Sequence, residues 1–203
     1  MWRLIYNVVL LVLSPLIVAI LLAKPRCRPG LPQRLGLEEG SFGLFSLFGL
    51  FRSLDRSQPD KQNKPNEQNK LNQPNRPVIW IHAVSLGEVV AVTPLVKELH
   101  RLHPTYRLVV STVTETGREA VEQRLSGVAE HCYAPLDFPW VVSRFIERLQ
   151  PRLYLFVETE LWPNLLWHLR RREVPTALVN GRLSSRSFAR QQWAPVRSFY
   201  RTM

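Results

Sequence analysis

The feature that most constrains the fold is an alternation, from Val78 onward, between short apolar runs and longer amphipathic segments. The run at 78–83 has the length of a buried strand, and apolar residues in 89–103 recur at helical spacing. The pattern then repeats and predicts strands at 78–83, 107–113, 129–134, 152–157 and 176–179, and helices at 89–103, 115–125, 139–149, 161–172 and 185–201. Such βα units with short links predict an α/β fold, a Rossmann-like parallel sheet with helices on both faces.

The length allows one such domain with additional segments. A chain of 203 residues, 45% of them hydrophobic, can bury one ordinary core. Changes in composition predict a membrane anchor at 1–24, a basic and Phe-rich interfacial segment at 25–55, an Asn/Gln/Pro-rich linker at 56–77 and the Rossmann-like domain at 78–203. A ligand site is expected in the last of these regions.

The first region is apolar over about the length of a transmembrane helix. Residues 4–23 are interrupted only by Asn7, Ser14 and Pro15, and roughly 20 apolar residues cross a bilayer as a helix. Basic residues are more frequent after this stretch than before it, which places the following chain in the cytoplasm. We therefore expect an N-terminal anchor in the inner (plasma) membrane, with the domain on its cytoplasmic face. A cleaved signal peptide fits less well, because its charge would precede the apolar run and because residues 21–25 are a poor cleavage site.

Two segments of unusual composition follow the anchor. In 40–51 phenylalanine recurs at every third position among leucines, so the segment either rests on the lipid headgroups or covers the core of the domain. In 57–77 asparagine, glutamine, lysine and proline dominate, with almost no apolar side chains. The second segment therefore predicts a disordered or loosely extended linker.

The charge and the cysteines limit the function classes. Lys and Arg outnumber Asp and Glu by 27 to 16, giving a net charge of +11, which favours anionic partners. The arginines that follow position 169 form either an anion-facing surface or the solvated faces of two helices. Motifs of nucleic-acid binding are missing, so nucleic acid is not an expected partner. Cys27 and Cys132 have neither disulfide-framework nor zinc-site spacing, and no metal or cofactor is expected.

Glutamates stand where predicted strands end and helices begin. In an open parallel sheet ligands bind at the carboxyl ends of the strands, where helix N-termini converge. Glu88 follows Ser85 and Gly87 there, and is either a fixed proton acceptor or a first-turn residue that complements the helix dipole. Thr93 and Pro94 could instead begin the helix. Glu158 and Glu160 directly follow the fourth strand and are either functional or capping residues.

Other polar positions favour structural roles. His82 lies within the first predicted strand and is expected to be a hydrogen-bonded core histidine, although it is close enough to Glu88 to affect it. Thr112, Thr114, Thr116 and Gly117 could bind an anion through their hydroxyls and amides, but an ordinary helix start is the preferred interpretation. The chain has no GxGxxG, Walker, GxSxG or HExxH sequence. Dehydrogenases, P-loop enzymes, serine hydrolases and zinc proteases therefore lack support.

Three stretches resemble one family. His82-Ala-Val-Ser-Leu-Gly-Glu88, Val157-Glu-Thr-Glu-Leu-Trp-Pro-Asn164 and Asn180-Gly-Arg-Leu-Ser-Ser-Arg-Ser187 resemble the 3-deoxy-D-manno-octulosonic acid (Kdo) transferases of lipopolysaccharide synthesis. The resemblance includes the apolar N-terminus with Arg34-Leu-Gly36, and covers the chain except the linker. It implies the N-terminal half of a two-domain GT-B glycosyltransferase that attaches Kdo from CMP-Kdo to the lipid A precursor with inversion.

The resemblance also implies roles for individual residues. Glu88 is the implied base for the acceptor hydroxyl, and Glu158 is implied to stabilise the transition state. The other implied contacts are Ser85, Gly87 and Glu160 on the substrate side, and Arg182 and Arg186 toward acceptor phosphates or as braces of their loop. The implied partners are the lipid A precursor, membrane lipid, and CMP-Kdo through a C-terminal domain.

The sequence departs from the family pattern in three ways. Leu86 replaces the usual valine, the Asn-rich linker is not a family feature, and the CMP-binding domain is not part of the 203 residues. We therefore expect the chain alone to be inactive, as a fragment, a truncated product or half of a split enzyme. The alternative is a non-catalytic, membrane-bound module that binds lipid A.

Overall fold

The computed structural model describes residues 1–23, 30–36, 76–181, 188 and 192–202. Its sheet has the strand order β3-β2-β1-β4-β5, and every neighbouring pair is parallel. The strands are β1 Val78–His82, β2 Arg107–Thr112, β3 Glu130–Tyr133, β4 Pro151–Val157 and β5 Thr176–Val179. The predicted α/β fold is confirmed, and each strand bound lies within one residue of its predicted position.

The helices follow the predicted alternation. In chain order they are α1 Trp2–Ala23, α2 Leu31–Arg34, α3 Leu86–Leu102, α4 Glu115–Arg124, α5 Pro139–Leu149, α6 Pro163–Arg171 and α7 Ala194–Tyr200. Helix α7 is shorter than the predicted 185–201, although residues 182–187 and 189–191 lie outside the described part of the chain. The Phe-rich segment and most of the linker lie outside it as well.

The sheet is buried on both faces because alternate strand residues pack against different helices. Trp80 and Tyr154 point toward α5 and α6, in a cluster with Phe145 and Leu165. Ile81 and its neighbours on the opposite face pack against α3 and α4. Near-continuous apolar strands are typical of such doubly covered parallel sheets. The prediction of helices on both faces is therefore confirmed.

The chain reverses direction across the sheet between β1 and β4. From β1 it proceeds outward through β2 to β3, and then returns to the other side of β1 with β4. At such a switch point the two flanking loops leave in opposite directions and open a crevice at the carboxyl edge. Residues that follow β1 and β4 are therefore expected to line a ligand site.

Helix α3 begins at Leu86 and contains Pro94, so the alternative start at Thr93 and Pro94 is wrong. The Thr93 hydroxyl donates to the carbonyl oxygen of Val89 at 2.7 Å, within the helix, instead of capping a helix start. Proline cannot donate to the carbonyl four residues earlier. That carbonyl belongs to Val90, which is 40% exposed, so water can satisfy it.

Helix α1 packs against the domain through its first turns. Trp2 and Tyr6 contact Phe199 of α7, with ring centroids 6.2 and 6.3 Å apart, and Tyr6 also contacts Trp167 of α6 at 5.9 Å. The membrane-spanning helix expected in region 1–24 is not supported. Among the residues that the structure describes, no helix combines the length and apolar character needed to cross a bilayer.

The short helix α2 packs at the carboxyl edge beside β2 and β3. The side-chain oxygen of Gln33 accepts from the Tyr133 amide at 3.0 Å. The buried Arg34 guanidinium lies 4.7 Å from the centre of the Tyr133 ring and donates to the carbonyl oxygen of Val113. Gly30 has a φ of 69°, and a Cβ there would overlap the Tyr133 ring at 1.9 Å. A side chain at position 30 would therefore prevent this packing.

Candidate functional site at the carboxyl edge

Glu88 lies in the first turn of α3, immediately after β1. Its Oε2 accepts from the Val84 amide at 2.9 Å, and its Oε1 accepts from the Ser85 hydroxyl at 3.0 Å. Ser85 is the N-cap of α3, so the two residues form an arrangement close to a capping box. The carboxylate is thus fixed at a helix N-terminus, and both interpretations of Glu88 remain compatible with its geometry.

The surroundings of Glu88 alter its proton affinity. Burial raises the pKa of its carboxyl, since only 7% of the residue is exposed. The hydrogen bonds from Val84 and Ser85 lower that pKa, while the negative charges of Glu160 and Glu158 raise it. The net pKa lies above the ordinary value. A carboxylate with a raised pKa is a stronger proton acceptor than a free glutamate.

Glu158 and Glu160 stand at the same edge, in the turn after β4. Glu158 adopts a left-handed φ of 59°, and its amide donates to the carbonyl oxygen of Val179 at 3.0 Å. The indole N–H of Trp162 donates to Oε2 of Glu160 at 3.1 Å. Their charges act on Glu88 across the β1/β4 switch point. The structure therefore brings the three predicted glutamates together.

His82 is buried beneath this edge. Its Nδ1 lies 2.9 Å from Oγ of Ser111, which also accepts from the Trp80 indole at 2.8 Å. Burial lowers the pKa of His82 to about 3, so the ring is neutral. The Trp162 ring packs edge-on against it at 5.0 Å. His82 is a core histidine as predicted, but its Nε2 has no hydrogen-bond partner among the described residues.

Asp137 also lies at this edge, where the sequence places it after the third strand without indicating a role for it. It follows β3, and its carboxylate accepts from the amides of Asn164 and Leu165 at 3.0 and 2.9 Å, at the start of α6. The Tyr6 hydroxyl of α1 donates to the same carboxylate at 2.8 Å. Burial raises the pKa of Asp137 to about 6, although these hydrogen bonds lower it. Asp137 therefore connects α1, the β3 loop and α6.

Two further polar contacts hold α1 along α6. Asn164 donates from Nδ2 to Oδ1 of Asn7 at 2.7 Å. The Arg3 guanidinium lies 3.0 Å from Nε2 of His168, whose pKa burial lowers to about 4. Residue 7 contacts residue 164, and residue 3 contacts residue 168, so α1 runs antiparallel to α6. Its later turns therefore extend past the carboxyl edge.

The other predicted site residues have simpler surroundings. Gly87 is exposed beside Glu88, while Arg182 and Arg186 lie outside the described residues. Thr114 caps α4 by accepting from the Gly117 amide at 3.1 Å, so the expected ordinary helix start is confirmed. Within the described ranges, no group of three His, Cys, Asp or Glu side chains is arranged to hold a metal ion.

Known proteins resemble the chain over its whole length or over a large part of it. The family model of 3-deoxy-D-manno-octulosonic-acid transferase (kdotransferase) matches residues 55–203. A 3-deoxy-D-manno-octulosonic acid transferase of Haemophilus influenzae is 35% identical over 203 residues, which cover 100% of this chain and 41% of that protein. The three motif stretches lie inside the matched region.

Two other relatives match over part of the chain. A 3-deoxy-D-manno-octulosonic acid transferase of Bordetella pertussis is 41% identical over 121 residues, which cover 57% of this chain and 28% of that protein. A probable mitochondrial 3-deoxy-D-manno-octulosonic acid transferase of Arabidopsis thaliana is 34% identical over 113 residues, which cover 56% of this chain and 25% of that protein. The chain thus spans less than half the length of each of these relatives.

Proposed function

Because the chain belongs to the 3-deoxy-D-manno-octulosonic-acid (Kdo) transferase family, we propose that it is the acceptor-binding part of a glycosyltransferase of lipopolysaccharide biosynthesis. The complete enzyme transfers Kdo from CMP-Kdo to a hydroxyl group of the lipid A precursor, with inversion at the anomeric carbon. The Rossmann-like sheet is the N-terminal domain of a GT-B fold.

One observation carries the proposal: Glu88 stands with Glu158 and Glu160 at the β1/β4 switch point, with its pKa raised by burial and by their charges. A sugar hydroxyl is a poor nucleophile until its proton leaves, and an inverting displacement requires one base to accept that proton. Glu88 is held by Val84 and Ser85 at fixed positions. It therefore has the chemistry and the placement of that base.

In the proposed step, the acceptor oxygen forms a bond to the anomeric carbon of Kdo while its proton passes to Glu88. The bond between that carbon and the phosphate oxygen of CMP breaks, and CMP leaves with the bonding electrons. Glu158 stabilises the positive charge that develops on the sugar ring, since a nearby carboxylate lowers the energy of a cationic transition state. The acceptor is positioned by Ser85, Gly87, Glu160, Arg182 and Arg186.

The donor binds outside this chain in our proposal. The Haemophilus influenzae relative contains a large additional part, because the chain covers 41% of its length, and we assign CMP-Kdo binding to the equivalent part. No metal or organic cofactor takes part in the proposed step. We accordingly expect the 203 residues alone to leave CMP-Kdo unreacted.

The proposed location is the cytoplasmic face of the inner membrane, with α1 in contact with lipid. Support comes from the apolar surface of α1, on which Leu11, Val12 and Leu16 are 61%, 72% and 58% exposed. Burying such a surface in lipid is favourable by roughly 25 cal/mol per Å² of apolar area. A lipid acceptor would meet the domain at this surface.

Reconstitution in two parts tests the proposal. The chain is mixed with CMP-Kdo, lipid A precursor and the C-terminal part of the Haemophilus influenzae relative that it does not match, and transfer of Kdo is measured by mass spectrometry. We expect product from the mixture and none from either part alone. The relative divided at the same point serves as the control for assembly in trans. If that control transfers Kdo and the mixture only binds lipid A precursor, the chain is a non-catalytic lipid-binding module.

A further inference from the structure

An apolar pocket of about 260 Å³ lies between α1 and the carboxyl edge of the sheet. Helix α1 contributes one wall, and the loops after β3 and β4 contribute the other. The residues that define this α1 pocket are Leu10, Ile17, Leu136, Phe138, Leu161 and Trp162. Pockets with mostly apolar walls favour apolar occupants, because water inside them finds few hydrogen-bond partners.

The polar groups of the pocket are already bonded to one another. Tyr6 and Asp137 also line it, but the Tyr6 hydroxyl donates to Asp137, whose carboxylate accepts two amides of α6 as well. These groups therefore fix the wall instead of offering free donors to a ligand. The α1 pocket therefore suits an occupant that is a hydrocarbon.

One side chain separates the α1 pocket from the glutamates. The Trp162 ring forms part of the pocket wall, while its indole N–H donates to Glu160 at 3.1 Å. A molecule with a hydrocarbon chain in the pocket would thus place its head group at the carboxylate edge. Of the molecules in the proposed reaction, the lipid acceptor combines such a chain with a reacting hydroxyl.

The outer surface near the pocket is also apolar. Leu13 and Leu16, between the lining residues Leu10 and Ile17, are 45% and 58% exposed. Trp140 is 54% exposed and stacks on the lining residue Phe138 at 5.0 Å. Exposed apolar surface that continues into a pocket is typical of a lipid-binding site.

We propose that the α1 pocket binds one acyl chain of the lipid acceptor and so sets the position of the acceptor hydroxyl relative to Glu88. This inference rests on the proposed function for the identity of the acceptor. The residues that line the pocket all belong to the part of the chain that the structure describes. Helix α1 then forms part of the acceptor site and also contacts lipid.

Photolabelling of the chain in lipid vesicles tests the inference. The probe is a fatty acid with a diazirine on its chain, and cross-linked positions are identified by mass spectrometry. We expect labels in 136–138 and 161–163, and we expect the lipid A precursor, but not its deacylated form, to compete with them. Leu136→Trp fills the pocket and should lower labelling there by about tenfold, the effect of keeping roughly two methylene groups in water.

A control variant and a second pocket-filling variant make the outcome clear. Leu102→Trp adds the same side chain at the far end of α3, where Leu102 is 54% exposed, and should leave labelling unchanged. Leu10→Phe fills the pocket from its other wall, and it replaces Leu136→Trp in the experiment if Leu136→Trp lowers the melting temperature of the chain. Labels confined to the exposed residues of α1, or labels in 136–138 that the filling variants do not reduce, would overturn the inference. Because labelling requires no turnover, failure of Kdo transfer with competed labelling refutes the proposed function and not the pocket.

Discussion

Replacing Glu88 with glutamine lowers restored Kdo transfer by roughly 10²- to 10⁴-fold, the usual contribution of a general base. Glutamine has nearly the same size, and its side-chain oxygen can still accept from the Val84 amide or the Ser85 hydroxyl. It cannot accept a proton from the acceptor. The fold should therefore survive while the rate falls, in initial rates measured with the two-part mixture.

A matched variant separates this effect from a general loss of charge. Glu122 is on α4, its side chain is 52% exposed, and it pairs with Arg118. Glu122→Gln should transfer Kdo at the normal rate, because exposed ion pairs contribute little. If Glu88→Gln keeps more than about a tenth of the normal rate, Glu88 is a capping residue and not the base.

Replacing Asp137 with alanine should reduce the free energy of unfolding by about 3 kcal/mol, since it leaves two amides of α6 and the Tyr6 hydroxyl without their acceptor. The loss of these bonds also releases α1 from the start of α6. Urea denaturation followed by circular dichroism measures the change. This is the largest stability effect that we expect from a single polar substitution at the carboxyl edge.

Two comparisons define how this result is interpreted. Tyr6→Phe removes only the bond from α1 and should be less destabilising than Asp137→Ala. Glu119→Ala changes an exposed acid on α4 and should lie within about 0.5 kcal/mol of the unaltered chain. A change below about 1 kcal/mol for Asp137→Ala would show that the carboxylate does not connect these elements.

The sheet and the position of the glutamates could be predicted from the sequence because both follow from local patterns. Apolar runs and helical periodicity located each strand within one residue, and the strand ends located Glu88, Glu158 and Glu160. The start of α3 was less certain, since Thr93 and Pro94 resemble a helix start. Their place inside α3 depends on the solvent exposure of Val90, which sequence does not give.

The role of Asp137 could not be predicted from local patterns. Its partner Tyr6 lies 131 positions earlier in the chain, and the contact exists only because α1 lies along α6. Trp162 was visible as part of a motif, but its place between Glu160 and the α1 pocket depends on the loop after β4. The sequence shows that an aspartate follows the third strand between Pro135 and Pro139, but not which groups it bonds.

The proton affinity of Glu88 is the most direct test of the site. The carboxyl carbon of Glu88 in the 203-residue chain can be titrated by ¹³C NMR, with assignment from Glu88→Gln. We expect a pKa above the ordinary glutamate value of 4.5, and a lower pKa in the Glu160→Gln variant, because a neighbouring negative charge is lost. The base is then ionised only above that pKa, so transfer should decline on the acid side at a higher pH than for an ordinary glutamate. A pKa at or below 4.5 that does not respond to Glu160→Gln would contradict the account.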